Sequence, residues 1–222
     1  SKGRNQFVTE VDREAEAAIL DVLLKAYPGH SVVAEESGTQ SGNDYTWIID
    51  PLDGTTNFIH GYPQFGISIA VTHRGRIEHG VVFDPLRDEL FTATRGEGAR
   101  LNDRRIRVSR TRYLDRALLS TGFPTHAIEK IDPWLKTFRA LLLKSSGIRR
   151  PGAATLDLAH VAAGRFDGFW EMGLKPWDMA AGTLLVREAG GLVAAFDGGQ
   201  DFLESGNIVA ANSVLFNEFL RV

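Results

Sequence analysis

The sequence has no cysteine among its 222 residues. That absence excludes disulfides, thiolate-bound zinc, iron–sulfur clusters and a cysteine nucleophile. The six histidines are scattered along the chain, without the close pair that a zinc site uses. A bound metal would therefore have to be held by oxygen ligands or by single imidazoles.

Long apolar runs and an excess of positive charge are also missing. No segment approaches the roughly 18 apolar residues that a membrane helix needs, and no charged-then-apolar leader is visible at the start. With 25 Lys and Arg against 28 Asp and Glu, the net charge is −3, so no general basic character would attract nucleic acid or acidic lipids. We expect a soluble, cytoplasmic protein with no membrane partner, which recognises other partners through local sites.

What the chain does contain is the composition of a folded protein. Hydrophobic residues make up 43% and charged residues 24% of it, far from the values typical of disorder. No repeat or flexible linker interrupts the chain. We therefore predict one unit over residues 1–222, with packed halves at about 1–115 and 116–222.

The hydrophobic pattern changes between these halves. Helical spacing follows a capping pair at Thr9 and Asp12 and predicts a helix over 10–27. Strands are predicted at 31–34 and 47–49, and an antiparallel meander at 66–108. The second half alternates predicted strands (117–121, 167–172, 191–196, 207–211) with predicted helices (127–143, 153–163, 178–189, 213–220). The prediction is an α/β protein with an antiparallel sheet first and a mixed α/β second half.

The stretch richest in chemistry follows the strand at 47–49. Asp50 and Asp53 lie on either side of Pro51 and Leu52, so both carboxylates can enter one cleft beyond the strand end. Such oxygen ligands suit Mg²⁺, and the Leu52 carbonyl, displaced from a regular ladder beside the proline, could be a further ligand. The structural alternative is that Asp50 caps a turn and Asp53 caps the next helix.

An anion site is predicted next to these carboxylates. Gly54 lets the backbone approach a ligand closely, and the amides from Thr55 onward could form the first turn of a helix. An anion cradle beside paired carboxylates is the arrangement needed for metal-assisted hydrolysis of a phosphate ester.

Three blocks of this sequence resemble one enzyme family. The run WIIDPLDGTTNF at 47–58 closely resembles the first metal-binding motif of the inositol monophosphatase family. VAEESG at 33–38 resembles its upstream acidic motif, and PWDMAAG at 176–182 resembles its downstream block. The stretches 148–159 and 164–168 are most similar to bacterial members. The resemblance extends over essentially the whole chain and implies a sandwich of alternating helix and sheet layers with the site between the halves, in a protein that commonly forms a homodimer.

The resemblance also implies a set of metal ligands. One Mg²⁺ would be held by Glu35, Asp50 and the Leu52 carbonyl, and a second by Asp50, Asp53 and Asp178. The resemblance also implies a third, weaker ion beside Glu35 and inhibition by Li⁺. Taken alone, Glu35 would be an acid at a solvated strand end, and Asp178 would be the N-cap of a helix.

Catalytic and substrate-binding roles follow from the same resemblance. Glu35 and the Thr55 hydroxyl would orient and deprotonate a metal-activated water for direct attack, without a phosphoenzyme. The implied substrate contacts are Asp53, Gly54, Thr55, Gly152, Ala153, Ala154, Glu171 and Asp178. Glu171 would accept hydrogen bonds from polyol hydroxyls, and Ala153 replaces the Ser or Thr of many relatives. Lys2 matches a family lysine near the phosphate.

The leading functional hypothesis is Mg²⁺-dependent hydrolysis of a small polyol phosphate, with inositol 1-phosphate first. Histidinol phosphate, fructose 1,6-bisphosphate and 3′-phosphoadenosine 5′-phosphate are the alternative substrates. An alternative of another class is a binding role in RNA synthesis, with RNA or the transcription machinery as partner. The arginines at 104, 105, 107, 110 and 112 could form that contact, although a solvated face is their default interpretation.

Overall fold

A computed structural model describes residues 9–124 and 127–222. The helices in these ranges are α1 (Glu10–Ala26), α2 (Thr55–Ile59), α3 (Ile131–Lys144), α4 (Ala154–Ala162), α5 (Pro176–Glu188), α6 (Phe202–Ser205) and α7 (Phe216–Leu220). The strands are β1 (Ser31–Ala34), β2 (Gly38–Gln40), β3 (Tyr45–Asp53), β4 (Gly66–His73), β5 (Arg76–Asp84), β6 (Glu89–Thr94), β7 (Gly98–Leu101), β8 (Arg104–Arg105), β9 (Leu118–Thr121), β10 (Gly147–Arg149), β11 (Gly168–Met172), β12 (Gly191–Ala194) and β13 (Asn207–Asn212).

The first sheet has eight strands in the order β2-β1-β3-β4-β5-β6-β7-β8. The expectation of a wholly antiparallel first sheet is wrong at one place, because β1 and β3 run parallel. After β2 pairs back against β1, the chain returns past the start of β1 before β3 begins. The return is tight: a Cβ on Gly42 would lie 2.6 Å from the Gly29 carbonyl oxygen.

The second sheet has five strands in the order β10-β9-β11-β13-β12. The pairs β9/β10 and β9/β11 are parallel, whereas β13 runs antiparallel to β11 and β12. This confirms the predicted mixed sheet. Three parallel strands therefore end at one edge, the edge at which α/β sheets usually bind ligands.

Helices and sheets alternate in layers, as expected for this fold class. Helices α4 and α5 pack between the two sheets, α1 covers the outer face of the first sheet, and α3 and α7 cover the second. The two central helices come unusually close, since a Cβ on Gly182 would lie 2.5 Å from Leu158 Cβ. No helix in the described part of the chain is both long and apolar enough to cross a membrane.

The predicted apolar face of α1 is confirmed only in part. Ile19 and Leu23, which have the apolar spacing of the helix, pack against the first sheet. Val22 has the same spacing but is 66% exposed. Two acids, Asp12 and Glu16, are buried on the inward side of the helix, so its buried face is rotated relative to the apolar spacing, because two of the inward positions are polar and have polar partners.

Several element boundaries also differ from the sequence pattern. Helix α3 begins at Ile131, after a separate 3₁₀ turn at Ile128–Lys130. Helix α7 begins only at Phe216, because the Asn212 side chain accepts the next amides in a turn that delays it. Strands β2 and β10 and helix α6 have three to four residues each, too few to show a periodicity.

Candidate active site

The site begins where β3 ends. Asp50 is 1% exposed, and its Oδ1 accepts a hydrogen bond from the Leu52 amide at 3.0 Å. The pairing of β3 with β4 shifts register between Asp50 and Asp53. Leu52 therefore lies in an irregular segment, as its sequence suggests, and its carbonyl accepts from Thr55 Oγ1 at 3.0 Å.

Asp53 connects this strand end to the second half of the chain. Its Oδ2 accepts hydrogen bonds from the amide and the hydroxyl of Thr155, both at 2.7 Å. Thr155 lies in the first turn of α4, so Asp53 caps a helix that begins 101 residues later. The alternative in which Asp53 caps the next helix along the chain is wrong. That helix is α2, and the residue at its N-cap is Gly54, which has a φ of 93° and no side chain.

Glu35 and Asp178 complete the predicted metal ligands. Glu35 directly follows β1, and its amide donates to the Ile49 carbonyl of β3 at 3.2 Å. Asp178 is the third residue of α5 rather than its N-cap, which is Lys175. Its Oδ2 accepts the Lys175 amide at 2.7 Å, so it stabilises the helix start from inside the first turn.

The electrostatics show that these acids lie close together. Burial raises the pKa of Asp50 well above its usual range, and Asp53, Asp178 and Glu35 raise it further by repulsion. Burial and then Asp53 raise the pKa of Asp178 to about 8, although its side chain also hydrogen-bonds to that of Asp50. Burial raises the pKa of Asp53 to about 6 against several hydrogen bonds. Such a cluster favours either protonation or a cation.

The donor set fits Mg²⁺, which prefers carboxylate and carbonyl oxygens. In residues 9–124 and 127–222, no three Asp, Glu or His side chains converge tightly enough to hold one ion as they stand. The hydrogen bonds explain why, since Asp50, Asp53 and Asp178 each turn one carboxylate oxygen toward a backbone amide. The carboxylates thus have the chemistry that Mg²⁺ prefers, but they are held in hydrogen bonds to the chain itself.

The contact between Asp12 and Thr55 was not predicted from the sequence. The sequence indicated only that Asp12 is half of a capping pair, and that pair is present, because Asp12 Oδ2 accepts the Thr9 amide at 2.8 Å. The other oxygen, Oδ1, accepts from Thr55 Oγ1 at 3.1 Å. Thr55 is thus oriented by a buried carboxylate from α1, and the only signal in the sequence was an acid on the inward side of the helix.

A second acid of α1 supports the loop after Glu35. Glu16 is 3% exposed, and its two carboxylate oxygens accept the amides of Glu36 and Ser37 at 2.9 and 2.7 Å. These bonds join α1 to the loop that follows β1. Glu16 therefore positions the loop that carries Glu35, a predicted metal ligand.

The predicted substrate residues at 152–154 form the start of α4. Asn57 Nδ2 donates to the carbonyls of Gln64, Pro151 and Gly152, so this loop is attached to α2. Gly152 has a φ of 90°, which a side chain would strain. Ala153 and Ala154 are 1% and 6% exposed, so that a substrate could reach this segment mainly through its backbone.

Glu171 lies on β11, at the edge where β9, β10 and β11 end. Burial raises its pKa well above the usual range, Asp178 and Asp53 raise it further, and Arg150 opposes them. The Arg150 guanidinium lies 4.5 Å from the centre of the Phe123 ring. The site thus has a carboxylate cluster beside the Arg150 cation. Lys2 lies outside the described residues.

Comparisons with known proteins agree with this geometry. A profile of the inositol monophosphatase family matches residues 1–221. A Nus factor SuhB from Pseudomonas aeruginosa is 57% identical over 225 residues, which cover 99% of this chain and 83% of that protein.

Two solved structures are similar along almost the full chain. The crystal structure of extragenic suppressor protein SuhB from Bartonella henselae has a TM-score of 0.96 and 48% identity, covering 99% of this chain and 85% of that one. The structure of inositol monophosphatase from Anabaena has a TM-score of 0.93 and 45% identity, covering 96% and 86%. With the motifs, the layered fold and these matches in agreement, the chain belongs to the inositol monophosphatase family.

Proposed function

We propose that this protein hydrolyses phosphate monoesters of small polyols with the help of Mg²⁺, and that inositol 1-phosphate is the first substrate to test. Family membership supports a phosphatase. The observation that carries the proposal is that Asp50, Asp53, Asp178 and Glu35 lie close enough to repel one another, because carboxylates crowded at one cleft are stabilised by a hard cation.

The cation would be held by Glu35, Asp50, Asp53, Asp178 and the Leu52 carbonyl. When bound, Mg²⁺ supplies positive charge to the phosphate oxygens and lowers the pKa of water. The protein's own contribution is to hold these oxygens on rigid backbone. Glu35 directly follows β1, and Asp50 lies near the end of β3, which runs parallel to β1. Asp178 is fixed in the first turn of α5.

Thr55 and Asp12 provide a route for the proton of the attacking water. The Thr55 hydroxyl hydrogen points to Asp12 Oδ1 or to the Leu52 carbonyl, at 3.1 and 3.0 Å. Its oxygen lone pairs are therefore available to accept from water. As water gives a proton to the Thr55 oxygen, the hydroxyl proton can pass to Asp12. The water oxygen bonds to phosphorus while the bond from phosphorus to the ester oxygen breaks, and the leaving oxygen takes a proton from a second water molecule to give the free polyol.

The remaining residues would orient the ester. The amides of Gly54 and Thr55, at the start of α2, would bind phosphate oxygens, and Glu171 would accept hydrogen bonds from the hydroxyls of the leaving polyol. The backbone at residue 152 lies next to α2, since Asn57 attaches it there. These roles predict that phosphate binding and polyol selectivity can be separated by mutation.

The test is phosphate release from a panel of esters with and without Mg²⁺, and then with Li⁺. The panel contains inositol 1-phosphate, glycerol 2-phosphate, histidinol phosphate, fructose 1,6-bisphosphate and 3′-phosphoadenosine 5′-phosphate. We expect Mg²⁺-dependent, Li⁺-sensitive release that favours the inositol ester. The same panel with Asp53→Asn controls for a contaminating phosphatase; release that is independent of Mg²⁺, or unchanged in that variant, would refute the proposal.

A second candidate function is a contact with RNA or the transcription machinery. It is favoured by the name Nus factor given to the P. aeruginosa relative and by the charge of residues 95–116, which contain eight arginines and three acids. Arg104 and Arg105 form the exposed edge strand β8 of the first sheet. A polyanion could bind along that edge.

This candidate is tested by changing Arg104, Arg105 and Arg107 together to Gln. Binding to RNA or to transcription proteins should be lost while phosphate release is unchanged. Changing three exposed cations of α3, Lys136, Arg139 and Lys144, removes the same charge and serves as the control. Equal binding by the two triple variants would eliminate the β8 edge as the contact.

A further inference from the structure

The carboxylate of Glu171 occupies the space where the side chain of residue 122 would begin. A Cβ built on Gly122 would lie 2.0 Å from Glu171 Oε1, 2.1 Å from Cδ and 2.2 Å from Oε2. Real Cβ atoms do not approach other atoms so closely, so any side chain at position 122 would have to displace the carboxylate. The carboxylate therefore lies directly against the Gly122 backbone.

The sheet fixes this contact. Strands β9 and β11 are parallel, and Thr121 pairs with Trp170 in their register, which places Gly122 beside Glu171. The Thr121 hydroxyl donates to the Trp170 carbonyl at 2.8 Å and holds the two strand ends together. Since Gly122 is the first residue after β9, it cannot move away from Glu171 without breaking this pairing.

The backbone conformation itself does not require glycine at position 122. The φ angle of Gly122 lies outside the left-handed region, in contrast with Gly54 and Gly152. Other close glycines accommodate apolar groups, such as Gly168 against the Phe219 ring and Gly182 against Leu158. Among the glycines of the described chain, Gly122 alone meets the carboxylate of a proposed site residue.

We propose that Gly122 is a specificity-determining residue that positions Glu171 to accept hydroxyls of the polyol. The inference rests on the proposed function, because it concerns how the leaving group is recognised. Because Gly122 has no side chain, the Glu171 carboxylate fits against its backbone. This keeps both Glu171 oxygens at the strand edge, beside Arg150 and the other acids of the site. A residue with a side chain at this position moves the acceptor and so changes which polyol esters are preferred, without touching the phosphate.

The test is the variant Gly122→Ala, assayed with inositol 1-phosphate and with 4-nitrophenyl phosphate, which has no polyol hydroxyls. For the inositol ester, kcat/KM should fall about tenfold or more, mostly through KM, because hydrogen bonds from the polyol to Glu171 are lost. For 4-nitrophenyl phosphate the change should stay within about twofold. The control is Gly147→Ala on the adjacent strand β10, where the new Cβ would be 3.4 Å from the flexible Arg149 side chain.

A double-mutant cycle with Glu171→Ala separates positioning from simple damage to the fold. With the carboxylate removed, Gly122→Ala should have little further effect on either the selectivity or the thermal midpoint. An equal loss in both backgrounds, or wild-type selectivity in the single variant, would overturn the proposal. If Gly122→Ala does not fold, restoration of folding by Glu171→Ala supports the contact, and failure to restore it overturns the contact.

The cycle also distinguishes this inference from the proposed function. A wild-type protein that releases no phosphate from any polyol ester contradicts the function. In that case the thermal midpoints of the four proteins still decide whether Gly122 positions Glu171. A wild-type protein that prefers the inositol ester, with selectivity unaffected by Gly122→Ala, contradicts only the inference.

Discussion

The contact between Glu16 and the loop after Glu35 predicts the effect of the variant Glu16→Gln. The carboxylate accepts two backbone amides from a position that is 3% exposed. Glutamine has the same size but only one acceptor oxygen, and its NH₂ group would face the second amide. One charge-assisted hydrogen bond is lost and one amide is left without an acceptor, which should cost about 2 kcal/mol.

For a chain of this length, a loss of that size lowers the thermal midpoint by about 4–8 °C. The loop also carries Glu35, a proposed Mg²⁺ ligand, and residues that orient ligands affect metal affinity by about 10-fold or more. Glu16→Gln should therefore raise the Mg²⁺ concentration needed for half-maximal activity, while activity at saturating Mg²⁺ recovers.

The assays are thermal unfolding without metal and a Mg²⁺ titration of phosphate release. Glu14→Gln is the matched control, since Glu14 lies on the exposed side of the same helix and loses the same charge. If Glu16→Gln has the midpoint and the Mg²⁺ response of Glu14→Gln, then Glu16 does not position the loop and the reasoning is refuted.

Three further predictions concern the acids, the hydroxyl and the central helices. Because Asp53 and Asp178 have pKa values raised to about 6 and about 8, the folded metal-free protein binds more protons than the unfolded chain between about pH 4 and pH 8. Its thermal midpoint should therefore fall as pH rises through this range, and added Mg²⁺ should remove this pH dependence. A midpoint that rises with pH would contradict the raised pKa values of these acids. Thr55→Val should lower kcat with little change in KM, whereas Thr55→Ser should keep most activity; equal rates would exclude the hydroxyl from proton transfer. Gly182→Ala should lower the free energy of unfolding, measured with urea, by about 1–3 kcal/mol, and an unchanged midpoint would show that Leu158 can move aside.

The strand ends of the site could be predicted from local sequence. A buried strand that stops at Asp50-Pro51-Leu52-Asp53 has its acids at an edge and its backbone out of register, and the structure has both features. The positions of Glu35 after β1 and Glu171 on β11 could be predicted in the same way. Each depends on a few neighbouring residues, which is the range over which hydrophobic patterns and turn residues are informative.

The long-range contacts could not be predicted in this way. Asp12 and Glu16 lie on the inward face of α1, because their partners are the Thr55 hydroxyl and the amides of a loop. A count of apolar spacing treats both acids as solvent-facing and therefore misplaces part of the buried face of the helix. Likewise, the structural alternative for Asp53 was to cap the next helix, but its partner Thr155 is 102 residues away, and only the packing of α4 brings the two together.

The site is therefore a product of the packing between the two sheets. Glu35, Asp50 and Asp53 come from the first sheet and its loops, whereas Glu171 and Asp178 come from the second sheet and from α5. The bonds from Asp53 to Thr155 and from Asn57 to Pro151 join these two groups directly. Because they cross between the halves at the site itself, binding of the proposed cation and the packing of the halves should stabilise each other. A mutation in the α4–α5 contact should then weaken Mg²⁺ binding even though it touches no ligand.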